Sequence, residues 1–164
     1  MPLTTIIHPY TAYDHWANGL FLDRLEKESD DVLDRQAPSS FPSLRTTLLH
    51  IRDAEHVWLC RLSGTPHRWP AEEAVDLGSV RRHLQAFHDH VLGLDETELA
   101  HVHAYQDLRG NTHRQTAWQM IMHCCNHSTQ HRGQVITQMR QLGLEEVPAT
   151  DLVRFWRMRS AERP

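Results

Sequence analysis

His123-Cys124-Cys125-Asn126-His127-Ser128-Thr129-Gln130-His131-Arg132-Gly133-Gln134 repeats histidine at every fourth residue. On an α-helix a step of four advances about 400° and rises about 6 Å, so neighbouring histidines share a face. Two imidazoles at i and i+4 can converge on one metal ion, the geometry that also underlies the helical His-Glu-x-x-His zinc motif. The outer two, His123 and His131, stand about 12 Å apart along the axis and about 80° apart around it. A straight helix cannot bring all three to about 2.0–2.1 Å from a single ion. It supplies two ligands, and a third comes from elsewhere. The spacing leaves open which neighbouring pair is used.

Outward from this stretch, Trp118, Ile121, Met122, Cys125, Val135, Ile136, Met139 and Leu142 extend the helical period. They predict a long helix from about Thr116 to Leu142, stopped at Gly143. Before it, residues 100–115 read as two short extended pieces, His101–Tyr105 and Thr112–Gln115, around a Gly110-Asn111 turn in the run Asp107-Leu108-Arg109-Gly110-Asn111. Val80, Leu84, Phe87 and Val91 predict a helix over about Gly78–Leu94. Leu44, Leu48, Ile51, Trp58 and Leu62 predict another, with Ser43 as N-cap and Gly64 as stop, after the breaker Ala37–Pro42. A first helix is expected from about Tyr10 to Glu28, and a short C-terminal one after Asp151. Four long helices without strand alternation make an all-α, up-down-type four-helix bundle, with a short extended insertion and a short final helix.

The 164 residues suffice for one domain, 1–164, with its own core. A net charge of -4 and scattered arginines argue against a nucleic-acid partner, since Lys27 is the sole lysine and no basic stripe forms. Arg81, Arg82, Arg157 and Arg159 are expected on solvated faces. No apolar run reaches the roughly 18 residues of a membrane span, and the N-terminus does not read as a signal peptide. Three cysteines, two adjacent, do not make a disulfide framework, so a cytoplasmic location is expected. Fourteen histidines are the anomaly, and they point to metal or acid–base chemistry.

In a bundle the missing ligand belongs on a facing helix. His50, between Leu49 and Ile51 beside an apolar stripe, is the candidate, because an imidazole held there wants a partner on its ring nitrogens. His56 is expected to face solvent. Glu55, five residues beyond His50, is the candidate catalytic group that orients a ligand or moves protons; its alternative is a surface ion pair with Arg52 or Arg61. Asn18 and Trp16 are candidates for a pocket mouth, Trp16 also for the core. Gly133 inside a helix costs about 1 kcal/mol against alanine, which close helix–helix approach would compensate. Arg132 is expected at the surface or in a capping ion pair, and Cys124 and Cys125 as core or partly exposed thiols.

The 123–134 stretch resembles the signature of the DinB-like family, His-x-x-Asn-His-x-x-x-His-Arg-Gly-Gln. Leu48-Leu49-His50-Ile51-x-x-Ala54-Glu55-x-x-Trp58-Leu59-x-Arg61-Leu62 resembles that family's second-helix motif. Tyr13-Asp14-His15-Trp16-Ala17-Asn18 and Asp151-Leu152-Val153-x-Phe155 are similar to its first-helix and C-terminal elements. The resemblance spans nearly the whole chain. It implies a four-helix bundle that binds a divalent metal, zinc or nickel, through His50, His127 and His131. His123 is then left outside the ligand set. Homodimerisation is a further implication.

Three histidines leave a coordination position for water or substrate, the arrangement of catalytic rather than structural zinc. By resemblance, the expected activity is that of a metal-dependent enzyme acting on a small-molecule substrate. It is either a thiol S-transferase using a low-molecular-weight thiol or a hydrolase. The competing expectation is a non-enzymatic, stress-associated bundle in which the ion is structural.

Overall fold

In the computed structural model of the chain, residues 1–107 and 109–161 are described. Among them are seven helices and one two-stranded sheet. The helices are α1 (Thr4–Leu25), α2 (Asp30–Leu33), α3 (Leu44–Ser63), α4 (Leu77–Leu92), α5 (Glu96–Ala100), α6 (Ala117–Gln141) and α7 (Leu152–Ala161). The strands are β1 (Val102–Gln106) and β2 (Thr112–Thr116). The expected helical bundle is present. α1 packs on α4 and α6, and α3 packs on the same two, so the ring runs α1–α4–α3–α6. The consecutive long helices α1 and α3 are therefore diagonal partners, while α3 and α6 are neighbours. No helix of the described residues is long and apolar enough to cross a membrane.

The boundaries follow local chemistry where caps are strong. Ser43 accepts from the Thr46 amide in a reciprocal capping box, and Gly64 closes α3 at φ 65°. Asp76 caps α4 through the Ser79 amide (2.8 Å). The Thr116 amide donates to Gln119 Oε1 (3.2 Å) at the start of α6, and Gly143 follows the helix at φ 70°. The insertion pairs antiparallel, with Val102 opposite Thr116 and Gln106 opposite Thr112. Asp107 organises its turn by accepting from the amides of Arg109 and Asn111; Leu108 of that expected turn lies outside the described residues.

Two expectations change. The first helix starts at Thr4, not Tyr10, and carries Pro9 inside it. Its N-terminal amides on Leu3 and Thr4 are satisfied by the Glu96 carboxylate (2.8 and 3.2 Å), and burial of Ile7 anchors the extra turn. Glu96 belongs to α5, a short helix capped by Asp95 that lies outside the expected elements.

The bundle interior is layered. One apolar cluster holds Phe21, Leu25, Leu48, Leu84 and Met139, and another holds Ile7, Phe87, Leu99, Ile121 and Cys125. Between them along α1, α3 and α6 lie Asp14, Asn18, Glu55, Ser128 and Arg132, all buried. Polar groups this deep must satisfy one another.

Candidate metal centre

His50 on α3 and His127 and His131 on α6 form the cluster of donors. His127 Nε2 lies 3.1 Å from His50 Nε2 and 3.0 Å from His131 Nε2. All three donor atoms fall within 4.8 Å of one another. Burial, and then the neighbouring His131, lowers the pKa of His50 to about 4 and of His127 to about 3, so both imidazoles are neutral at pH 7. A neutral ring nitrogen offers one hydrogen or one lone pair, along one in-plane direction. His127 Nε2 therefore cannot hydrogen-bond to both neighbours at once, and at least one pair of nitrogens is left uncompensated.

A cation resolves this conflict. Nitrogens at about 2.0–2.1 Å from one ion stand about 3.0–3.4 Å apart for angles between about 95° and tetrahedral. The observed separations of 3.0 and 3.1 Å belong to that range. Three imidazoles suit zinc, nickel or copper better than magnesium or calcium. The residues present thus fit a divalent transition-metal ion.

Two staples on either side of the cluster fix how α3 and α6 cross. Thr47 donates its hydroxyl to Gln138 Oε1 (2.9 Å), and Ser128 donates to Glu55 Oε1 (3.0 Å). His50 lies between Thr47 and Glu55 on α3, so its approach to the two α6 histidines is set from both sides.

Glutamines at 134, 138 and 141 form one stripe of α6 and tie down residues 37–42. Gln138 Nε2 donates to the carbonyl of Phe41 (2.9 Å), Gln134 Nε2 to Ser40 Oγ (2.8 Å), and Gln141 Nε2 to Pro38 O (3.3 Å). The Phe41 ring is thereby held 4.3 Å from His50 and 5.6 Å from His131. Gln134 also accepts from His131 Nδ1 (2.9 Å), which puts a hydrogen on Nδ1 and turns Nε2 toward the cluster. Trp69 also packs against His50, at 5.5 Å. Its loop is organised by buried Arg52, which pairs with Asp53 (2.8 Å) and donates to the carbonyls of Glu72 and Ala74; Asp53 accepts from the Ala71 amide (3.0 Å).

The other candidates are distributed differently. Glu55 is only 1% exposed and forms no surface ion pair with Arg52 or Arg61. It belongs to the polar layer, where Asn18 Nδ2 donates to it (3.3 Å) and to Asp14 (3.2 Å). Burial, and then the neighbouring Asp14, pushes its carboxyl well above the usual range. Asn18 is therefore interior and lines no mouth. Trp16 packs on Phe155 of α7 (5.4 Å).

Arg132 is buried, not at the surface. It pairs with Asp14 at 2.5 Å and donates to Asn18 Oδ1 (3.1 Å) and Thr129 Oγ1 (2.6 Å). One step beyond His131 on α6 turns it toward α1, where only Asp14 can compensate a buried guanidinium. His123 lies outside the cluster, against Trp58 (4.9 Å). His56 is half-buried beside His83 (5.2 Å) and Cys60. A Cβ on Gly133 would meet nothing within 4 Å, so no close helix approach accounts for that glycine. Burial drives the Cys124 and Cys125 thiols well up, which makes them inert core groups.

The polypeptide matches the profile of the DinB family over residues 2–163. It is 23% identical over 147 residues to Protein DinB of Bacillus subtilis (strain 168), covering 83% of this chain and 86% of that protein. The crystal structure of a DinB family member from Shewanella denitrificans shares its fold. The TM-score is 0.51 at 16% identity, covering 90% of this chain and 88% of the other.

Proposed function

The chain belongs to the DinB family, and from that premise we propose that it is a metal-dependent enzyme for a small-molecule substrate, with zinc or nickel held by His50, His127 and His131. The observation that carries this reading is the convergence of three imidazole Nε2 atoms at separations that suit a shared ion better than hydrogen bonds among themselves. A bound divalent ion would supply a Lewis acid that favours the anionic form of a thiol or of water. The chain's own groups do the rest. Gln134 fixes the tautomer of His131, the Thr47–Gln138 and Glu55–Ser128 bonds hold the two helices in register, and Phe41 and Trp69 provide an apolar wall that sheds water from one side of the cluster.

Two reactions suit this equipment: transfer of a low-molecular-weight thiol to an electrophile, and hydrolysis of an ester or amide. Among the described residues no carboxylate hydrogen-bonds to any of the three histidines, so a substrate that arrives as its own nucleophile is favoured. Thiol transfer is therefore the first choice. The bundle has two apolar cores and interhelical bonds that do not involve the three histidines, which supports a functional ion over a purely structural one.

The test is to strip the protein with a chelator, then assay thiol conjugation and ester hydrolysis with and without added Zn2+ or Ni2+. The expected result is a helical spectrum retained on stripping and conjugation restored by metal. Unfolding on chelation would assign the ion to the fold instead.

A further inference from the structure

Three turns of α3 beyond His50, about 16 Å along the helix axis, a cavity of about 450 Å3 opens between the end of α3 and the β-hairpin. The local chain explains what faces it. Trp58 and Arg61 are three apart on α3 and share a face. There the guanidinium carbon of Arg61 stands 4.5 Å from the Trp58 ring and 4.7 Å from the Tyr105 ring of β1. Its Nη2 donates to the Gln106 carbonyl (3.0 Å). No hydrogen bond among the described residues engages Nη1 or Nε, and Nε is shielded from solvent. Asp107, next to Gln106, spends its carboxylate on the amides of Arg109 and Asn111 and on His113. Thr65, His67 and Thr112 also line the cavity, and no aspartate or glutamate of the described residues does. A half-buried cation thus faces an open space without a counter-charge. Burial accordingly holds the Arg61 guanidinium below its ordinary pKa.

We propose that this cavity binds a small organic carboxylate, with Arg61 as its counter-charge. A planar guanidinium matches a carboxylate through paired, charge-assisted hydrogen bonds. The two aromatic rings hold the Arg61 side chain in place before any ligand arrives, so little of its freedom remains to be lost on binding. Arg61 is the sole arginine or lysine among the described lining residues, so it balances a monoanion and leaves a phosphate dianion half-compensated. The hydroxyls of Thr65 and Thr112, which make no hydrogen bond among the described residues, supply further donors at the exposed rim. The volume falls in the range of about 300–1,000 Å3 typical of small-molecule sites. The site does not use His50, His127 or His131, and the proposal stands whether or not those three hold an ion.

The protein, labelled with 15N, is titrated separately with sodium benzoate, benzyl alcohol and inorganic phosphate, and its NMR signals are followed. Benzoate is expected to give saturable shifts concentrated at the Arg61 Nε–H and at the amides of Thr65, Gln106 and Thr112. It should bind at least about 10-fold more tightly than benzyl alcohol, the difference a charge-assisted hydrogen bond makes. Arg61→Gln is expected to lose that advantage. Thr112→Glu, at an exposed strand position that leaves Arg61 and both rings intact, brings a carboxylate of the chain's own to the cavity and is expected to exclude benzoate. The proposal is overturned if benzoate shifts do not saturate or centre elsewhere, on the three histidines included. It is also overturned if benzyl alcohol binds as tightly as benzoate, which would make the cavity a plain apolar slot, or if phosphate binds more tightly. Benzoate affinity equal to wild type in folded Arg61→Gln or in Thr112→Glu overturns it as well.

Discussion

Gln134 is the residue on which the geometry of the candidate metal centre turns. It accepts from His131 Nδ1 and donates to Ser40, so one side chain fixes both a ligand's tautomer and the segment that carries Phe41. Groups that orient ligating histidines in this way are typically worth about 10–100-fold in metal affinity. Gln134→Ala is expected to weaken Zn2+ binding by that factor in a competition titration with a chelating dye; an unchanged affinity would show that packing alone orients the ring. Gly133, its neighbour, behaves oppositely. It sits exposed inside α6 with open space around it. Gly133→Ala should therefore stabilise the fold by about 1 kcal/mol in urea unfolding. A loss of stability would mean that the glycine serves a contact outside the described residues.

Between helices, the decisive interaction is the buried Arg132–Asp14 pair, whose side chains are 2% and 3% exposed. Removing one member of such a pair leaves a charge without compensation and costs about 3–5 kcal/mol. Arg132→Met should show a loss of that size, and adding Asp14→Asn should recover part of it; a double variant no better than the single would mean that the two are not coupled. This pair also marks how far local reading reaches. The helical spacing of 127 and 131, the Ser43 cap and the Gly64 stop are local signals, and each was legible in the sequence. So was the candidacy of His50, from its place on an apolar flank. The partner of Arg132 lies 118 positions away, and the Glu96 carboxylate that lets α1 begin before Pro9 lies 93 positions from Leu3. No pattern within a helical turn encodes those. The glutamines at 134, 138 and 141 share a face, but that spacing equally describes an ordinary solvated stripe. Only the fold shows them holding Phe41 over His50.

At the scale of the whole molecule, the bundle stacks two apolar cores around a polar layer and stores many neutral histidines. His50 and His127, shifted from 6.5 to about 4 and about 3, remain unprotonated in the folded chain where the unfolded chain binds protons. Their contribution to stability is complete above about pH 6.5 and is lost as pH falls toward 4 and then 3. His15, His56, His83, His90, His103 and His123 shift in the same direction. Glu55, raised by burial, works against them above pH 4.5. The metal-free protein should therefore have a lower urea midpoint at pH 5 than at pH 7, and His127→Gln should reduce that difference. Equal pH dependence in variant and wild type would show that His127 is protonated in the fold.

The most direct test of the metal centre is anomalous diffraction from zinc-loaded crystals, recorded on both sides of the zinc edge. The account predicts an ion about 2.0–2.1 Å from Nε2 of His50, His127 and His131 together. Zinc bound only through other donors, with those three nitrogens uncoordinated, would contradict it.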